Sequence, residues 1–258
     1  MLSEPHLICI DIDGTLTVDF LGAVPPENWD AVRQARACGH KVVVNTGRSY
    51  FNLPPTIRDP DAPLDGLICA NGSYIRLGGK VVQNRTIDTA LLHEILSYFL
   101  FEDDRFCLFE GETMLIKTRE RSDLYGDPGV QIFHPDELYD RFRDVGVNDF
   151  SCEGTLSDAF LARFGTRLEI FRCTTFTDCT VLGCSKAVGM RLAAEYLGIP
   201  LSRTVAIGDS GNDLPMLRAA AVAVAMGNAG EAVRREADLV TRANTECGVA
   251  EAIRKLFL

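Results

Sequence analysis

Two carboxylates stand on alternate residues in Asp11-Ile12-Asp13-Gly14-Thr15, where the apolar run from Leu7 to Ile10 stops. A carboxylate so placed is a competent nucleophile toward phosphorus and can form an aspartyl phosphate. Its neighbour can protonate a leaving group and later take a proton from water. Gly14 gives the turn a backbone freedom that a side chain would deny it. Asn45-Thr46-Gly47-Arg48-Ser49 also follows a strand-like run and reads as the opening of a helix. A hydroxyl and free N–H groups at a helix start suit a phosphate, because the positive end of the helix dipole favours anions. Gly208-Asp209-Ser210-Gly211-Asn212-Asp213 packs two carboxylates and an amide into one tight turn. Hard oxygen donors of this kind suit Mg²⁺, which takes one or two carboxylates together with waters and substrate oxygens. The same turn matches neither the dinucleotide-binding glycine pattern nor the phosphate loop that ends in Gly-Lys-Ser/Thr. Lys186 follows Gly183-Cys184-Ser185 at the head of a helical stretch. Several carboxylates and a phosphate in one place need such a cation to coexist. Singly, these segments are also an Asp-Gly turn, a helix cap, a solvated loop and a surface lysine.

What joins them is the alternation of the chain. Glu27 to Cys38 reads as a helix, with Pro26 suited to its first turn and Gly39 to its stop. Lys41 to Val44 and Leu67 to Ala70 read as short apolar strands, the second ending at Asn71-Gly72. The theme returns late in the chain. A helix over Lys186 to Leu197 is closed by Gly198 and Pro200, and a strand over Thr204 to Ile207 leads to a helix over Leu214 to Ala220. Strand-like Ala221 to Ala225, a short Asp238 to Val240 strand and a helix over Val249 to Leu258 complete it. Short apolar strands alternating with helices predict a parallel sheet covered on both faces. Ligands of such a sheet sit outside the carboxyl ends of its strands. Asp11 with Asp13, Thr46, and Asp209 with Asp213 all stand at such ends, so the fold would gather them from distant positions.

Between Val82 and Leu182 the order changes, with a helix over Ala90 to Phe101 and a strand over Arg167 to Arg172. The expected architecture is α/β: a Rossmann-like parallel-sheet core with helices on both faces, residues 1–82 and 183–258, interrupted by an inserted α+β cap domain, residues 83–182. A chain of 258 residues with 47% hydrophobic content can support two such bodies. The formal net charge of -10 argues against broad nucleic-acid binding, since phosphate backbones are held by Lys and Arg. It leaves room for a local cationic pocket. No apolar run nears the ~20 residues that span a bilayer, and the start Met-Leu-Ser-Glu-Pro-His shows no secretory signal. The 9 cysteines are odd in number and scattered. Cys9, Cys69 and Cys107 lie in apolar runs as small hydrophobes, while Cys173, Cys179 and Cys184 cluster without a Cys-x-x-Cys pair. The expectation is a reduced cytoplasmic protein, a monomer or weak homo-oligomer, with no membrane partner.

In their order along the chain the four segments resemble the four motifs of the haloacid dehalogenase superfamily: Asp-x-Asp-Gly-Thr, a strand-ending Thr or Ser, a Lys before a helix, and Gly-Asp-x-x-Asn-Asp. The chain looks most like the Cof-type branch, which carries a large α/β cap between the second and third motifs. Thr46-Gly47-Arg48, Asn71-Gly72, Ser185-Lys186 and Gly208 to Asp213 fit that branch. The motifs span the core, while the cap resemblance rests on position and size. The resemblance implies a Mg²⁺-dependent phosphatase with Asp11 as nucleophile and Asp13 as general acid and base. It implies that Thr46 holds the transferring phosphoryl group, with Gly47 beside it, and that Lys186 neutralises charge on that group and on Asp11. Asp209, a carboxylate oxygen of Asp11 and the carbonyl of Asp13 are the implied Mg²⁺ ligands. Asn212 is implied in positioning phosphate, Asp213 in supporting the metal and Lys186, and Arg48 in binding substrate.

The substrate so implied is a small phosphorylated metabolite, sugar phosphates foremost. A sugar phosphomutase of the same superfamily would use many of these residues, and a phospho-acceptor signalling protein would share some of them but lacks Asp13 and needs no such insertion. In the cap, Arg105, Lys117, Arg119 and Arg121 could meet an anionic substrate, although charges on a solvated face are the commoner case. Gly78, Gly79 and Gly183 place the expected hinge near Leu77 to Lys80 and at Gly183.

Overall fold

The apolar runs form strands that are buried on both faces. In the computed structural model residues 4–19, 22–103, 105–112, 115–118, 130–131, 146–173 and 175–258 are described, with 115–117 and 130–131 described by backbone alone. β1 (Leu7–Ile10), β2 (Lys41–Asn45) and β3 (Gly66–Cys69) are followed by a hairpin, β4 (Tyr74–Leu77) and β5 (Lys80–Asn84). A second sheet is built from β6 (Cys107–Gly111), β7 (Leu115–Lys117), β8 (Val130–Gln131), β9 (Val147–Glu153), β10 (Leu168–Arg172) and β11 (Phe176–Val181). The chain then rejoins the first sheet with β12 (Thr204–Gly208), β13 (Val222–Ala225) and β14 (Leu239–Val240). The helices are α1 (Pro26–Ala37), α2 (Pro55–Arg58), α3 (Thr89–Phe101), α4 (Asp158–Phe164), α5 (Lys186–Tyr196), α6 (Leu214–Ala219), α7 (Glu231–Arg235) and α8 (Gly248–Phe257).

The larger sheet runs β14-β13-β12-β1-β2-β3-β4-β5. It is parallel from β14 to β3 and antiparallel through the β4–β5 hairpin at its edge. Ile8, Ile10, Val42, Val44, Val205 and Ile207 pack on one side with Ala31 and Val32 of α1 and Val249 and Ile253 of α8. Leu7, Cys9, Val43 and Ala206 pack on the other with Met190 and Ala193 of α5 and Met216 of α6. Successive residues therefore face opposite cores, which is why these strands read as unbroken apolar runs. Each fully buried Val, Leu or Ile contributes about 1.5–3 kcal/mol.

The smaller sheet has the order β10-β11-β9-β6-β7-β8 and is antiparallel except between β7 and β8. It is a separate antiparallel cap sheet, and its two faces differ. Phe109, Phe150 and Cys179 share one register row and lie against α3 and α4. The Phe109 and Phe150 rings stack with centroids 4.8 Å apart, and Phe99 stacks on Phe160 at 5.2 Å. The alternate residues Glu110, Asp149, Ser151, Asp178 and Thr180 make up the opposite face, which meets the larger sheet.

The chain crosses between the sheets after Asn84 and again before Lys186. Arg85 ties the two crossings, donating from Nη2 to the Leu182 carbonyl at 2.9 Å and from Nη1 to Cys184 Sγ at 3.2 Å. Gly78 and Gly79, expected at a hinge, instead form the turn of the β4–β5 hairpin, with φ of 54° and 78°. Positive φ serves a tight hairpin as readily as a hinge. The helix expected to open at Thr46 does not form. Residues 46–53 are a loop, and the first helical turn after it begins at Pro55. Pro54 and Pro55 lack N–H donors, so a helix opened at Thr46 could not run on through them. Among the described residues no helix is long and apolar enough to cross a membrane.

Candidate active site

β2, β1 and β12 lie side by side, so their carboxyl ends meet. The Asp11 N–H donates to the Ile207 carbonyl at 3.0 Å, which extends the ladder to the first acidic residue. The chain then turns through Ile12–Leu16, with Gly14 at φ 75°. A Cβ on Gly14 would lie 2.5 Å from Asp209 Oδ2, so glycine is needed here for the close approach as well as for the turn. Thr15 Oγ1 donates to Asp209 Oδ1 at 2.9 Å and joins the two acidic turns.

Ser185 caps α5 by accepting from the Val188 N–H at 3.2 Å, which sets Lys186 on the first turn and aims it inward. Lys186 Nζ lies 2.6 Å from Asp11 Oδ1 and 2.5 Å from Asp213 Oδ1, with its side chain 1% exposed. The other Asp213 oxygen accepts from the N–H groups of Asp209 and Ser210, each at 2.9 Å. Asp213 is thus fully occupied by Lys186 and the turn that carries Asp209.

Burial and the Asp213 charge push the Asp11 carboxyl well above the usual carboxylate range, against the pull of Lys186. Burial, then Asp213, push Asp209 up to about 7, although the Thr15 hydrogen bond and Lys186 oppose the rise. Burial alone would lower Lys186, but Asp11 and Asp213 hold its ammonium well above the ordinary lysine value. Oxygens of Asp11, Asp209 and Asp213 lie within 4.8 Å of one another around this one ammonium. Three hard carboxylates against a single cation fit a divalent metal, because the cluster carries more negative charge than Lys186 offsets.

Asp13 is gripped from the side. Arg48 donates from Nε to Asp13 Oδ2 at 2.7 Å and from Nη2 to Oδ1 at 2.6 Å, a two-pronged contact. Its Nη1 donates to the Asn52 carbonyl at 3.2 Å. Arg48, expected to meet substrate, is in this structure turned onto Asp13. Thr46 ends β2, its Oγ1 accepting from the Arg48 N–H at 3.1 Å. Asn71, in the left-handed region at φ 51°, faces Asn212, whose Nδ2 donates to Asn71 Oδ1 at 3.3 Å.

The strand-end residues border a cavity of about 230 Å³, lined by Asp11, Asp13, Thr46, Gly47, Arg48, Asp209 and Asn212 from below. The smaller sheet closes it with Glu110, Ser151, Phe176 and Asp178, together with Thr175 just before β11. Lys186 and Asp213 sit behind Asp11, buried. Sequence reasoning missed Glu110 and Asp178, two buried carboxylates of the cap sheet that bond to the larger sheet. Glu110 accepts from the Ser49 N–H at 3.0 Å and Asn52 Nδ2 at 3.3 Å, and burial holds its carboxyl above the usual range. The available signal was their place: Asp and Glu are disfavoured inside strands. Of the cap cations, Arg105 is paired with Asp103 at 2.8 Å. Arg119 and Arg121 lie outside the described residues, as does the side chain of Lys117.

A family model described as haloacid dehalogenase-like hydrolase matches residues 8–253. Phosphatase YwpJ of Bacillus subtilis (strain 168) is 31% identical, over 97% of this chain and 99% of the relative. The 5-amino-6-(5-phospho-D-ribitylamino)uracil phosphatase YcsE of the same organism is 30% identical, over 98% and 96%. Among solved structures, the sugar phosphatase BT4131 of HAD subclass IIB superposes with a TM-score of 0.78 at 25% identity, covering 97% of this chain and 98% of that one.

Proposed function

The chain belongs to the haloacid dehalogenase-like hydrolases and is a phosphatase, and from that footing we propose that it hydrolyses small phosphorylated metabolites, sugar phosphates foremost, in a Mg²⁺-dependent reaction through a phosphoryl group carried on Asp11. The observation that carries this reading is Lys186 bridging Asp11 and Asp213 beside Asp209, at strand ends that open into one cavity. The phosphoribityl and sugar substrates in the relatives' names support the substrate class.

In this reading the Asp11 oxygen not held by Lys186 attacks phosphorus while the bond to the leaving oxygen breaks. Asp13 gives that oxygen a proton, then takes one from the water that attacks the phosphoryl group, and the bond to Asp11 breaks to free phosphate. Arg48 holds Asp13 by both carboxylate oxygens. Thr46, Gly47 and Asn212, which line the cavity, would border the equatorial oxygens. Asp11, Asp209 and the Asp13 carbonyl would hold Mg²⁺, and Asp213 would keep Asp209 and Lys186 in register through the bonds it already makes. When bound, the ion supplies charge neutralisation on the phosphoryl oxygens, which lets an anionic Asp11 approach an anionic ester. The proposed division of labour leaves residues 83–182 to choose the substrate and exclude water. A phosphate-release screen over phosphorylated metabolites, with and without Mg²⁺, is the test. Full release in demetallated buffer would overturn the metal assignment, and a phosphosugar isomer in place of free phosphate would overturn hydrolysis.

A further inference from the structure

We propose that Asp178, a residue of the cap sheet, is a positioning residue for phosphoryl transfer itself: its carboxylate sets the amides of Asn212 and Asn71, so the phosphate side of the site is complete only with the cap seated. The proposal rests on the active-site reading above and departs from its division of labour, which gives the cap no part in the chemistry.

Asp178 lies on β11, and its side chain points away from the aromatic core of the cap into the cavity. Its Oδ2 accepts from Asn212 Nδ2 at 3.2 Å and from Asn71 Nδ2 at 3.3 Å, while Oδ1 accepts from Ser151 Oγ at 3.0 Å. One oxygen of the cap thus holds two amides of the larger sheet. Each amide has a donor end and an acceptor end, and a carboxylate accepts only from the donor. Ser210 Oγ donates to Asn212 Oδ1 at 2.7 Å and fixes the opposite end. With Asp178 in place, Asn212 presents one orientation to the cavity, and a flipped amide would set its oxygen against a carboxylate. Gly47 belongs to the same contact. A Cβ there would stand 2.9 Å from Asp178 Oδ2 and 3.1 Å from Asn212 Nδ2, so the absent side chain leaves room for the cap carboxylate. On the active-site reading Asn212, which Asp178 holds, serves the phosphoryl group and not the leaving group. Loss of Asp178 should therefore be felt by all esters alike.

The experiment compares Asp178→Asn, which keeps the shape, and Asp178→Ala with the unaltered protein. Steady-state kinetics are measured on p-nitrophenyl phosphate and on the best metabolite from the release screen, with inorganic phosphate as inhibitor and thermal unfolding as a check on folding. We expect kcat to fall about 10- to 100-fold on both esters in parallel, the scale of a misplaced binding group, with phosphate inhibition weakened. Asn212→Ala should cost less in the Asp178→Ala background than alone, because the two changes remove one alignment. Loss confined to the metabolite, with p-nitrophenyl phosphate turned over normally, would make Asp178 a selector of leaving groups and overturn the proposal. Independent, multiplying losses from Asn212→Ala and Asp178→Ala would overturn it as well. Asp11→Asn run alongside separates the two layers: persistent phosphate release there refutes the nucleophile assignment, whatever Asp178 does.

Discussion

The two sheets offer chemistry in different ways. The larger one is covered by helices on both sides, so the bodies of its strands are spent on packing and only their carboxyl ends are free to act. The smaller one is covered on one side by α3 and α4 and lays its other side across the cavity, where Glu110, Ser151 and Asp178 take part. A parallel sheet builds a site from termini, each with one geometry and one tenant. An antiparallel sheet builds it from a surface, whose residues can change by degrees. Lesions at strand ends should accordingly be severe and indifferent to substrate, and most lesions on the cap face graded and selective.

The hardest blow to that contrast, or its best support, comes from Asp11. Asp11→Asn should keep the fold and lower phosphate release on the order of 10⁵–10⁶-fold, the scale for removing a covalent nucleophile. A folded variant with near-normal release would empty the strand-end argument. Asp13→Asn should cost about 10²–10⁴-fold. Rapid-quench measurements should find both formation and hydrolysis of the phosphoenzyme slowed, with p-nitrophenyl phosphate rescuing formation more than hydrolysis. If neither step moves, Asp13 is a turn residue held by Arg48. On the cap face, Phe176→Ala should reduce kcat/KM for the preferred metabolite about tenfold and barely touch a small acyl phosphate. Parallel losses there would erase the distinction between the sheets.

The smallest effect is expected away from the cavity. Asp65 accepts from Arg36 Nε at 3.0 Å, Lys41 Nζ at 3.2 Å and the Val42 N–H at 2.9 Å. Burial alone would raise its carboxyl, but the bonds from Arg36, Val42 and Lys41 hold it below the ordinary value. A lowered folded-state value means stability fully present above the unfolded value of about 3.9 and lost as the pH falls through the folded one. Asp65→Asn should cost about 1 kcal/mol at neutral pH, with no change in turnover. Denaturant unfolding at neutral and strongly acidic pH reads it, and an equal loss in acid would assign the effect to packing instead of charge.

The strand-end clusters were legible because each is a contiguous stretch: Asp11 to Thr15, Thr46 to Ser49 and Gly208 to Asp213 each hold their residues side by side. Lys186 could be chosen only through the family resemblance, since nothing local separates it from other lysines. The cap face was not legible. Glu110, Asp149 and Asp178 come from β6, β9 and β11, strands paired out of chain order, and only the register puts them on one side. Their trace in the sequence is a carboxylate set among residues that alternate with buried aromatic and cysteine side chains. The grip of Arg48 on Asp13 was hidden for another reason: it depends on a loop where the sequence suggested a helix.

Arg85 lashes together the outgoing and returning segments of the inserted sheet. A body hung from two adjacent tethers has one easy rotation, about the line joining them, and resists both twist and translation. Any swing of the smaller sheet is guided along that arc, as a door is by a pair of hinges. Asp178 and Glu110 would meet the same groups again after such a swing, so the fit between roof and floor would be kept by the manner of attachment.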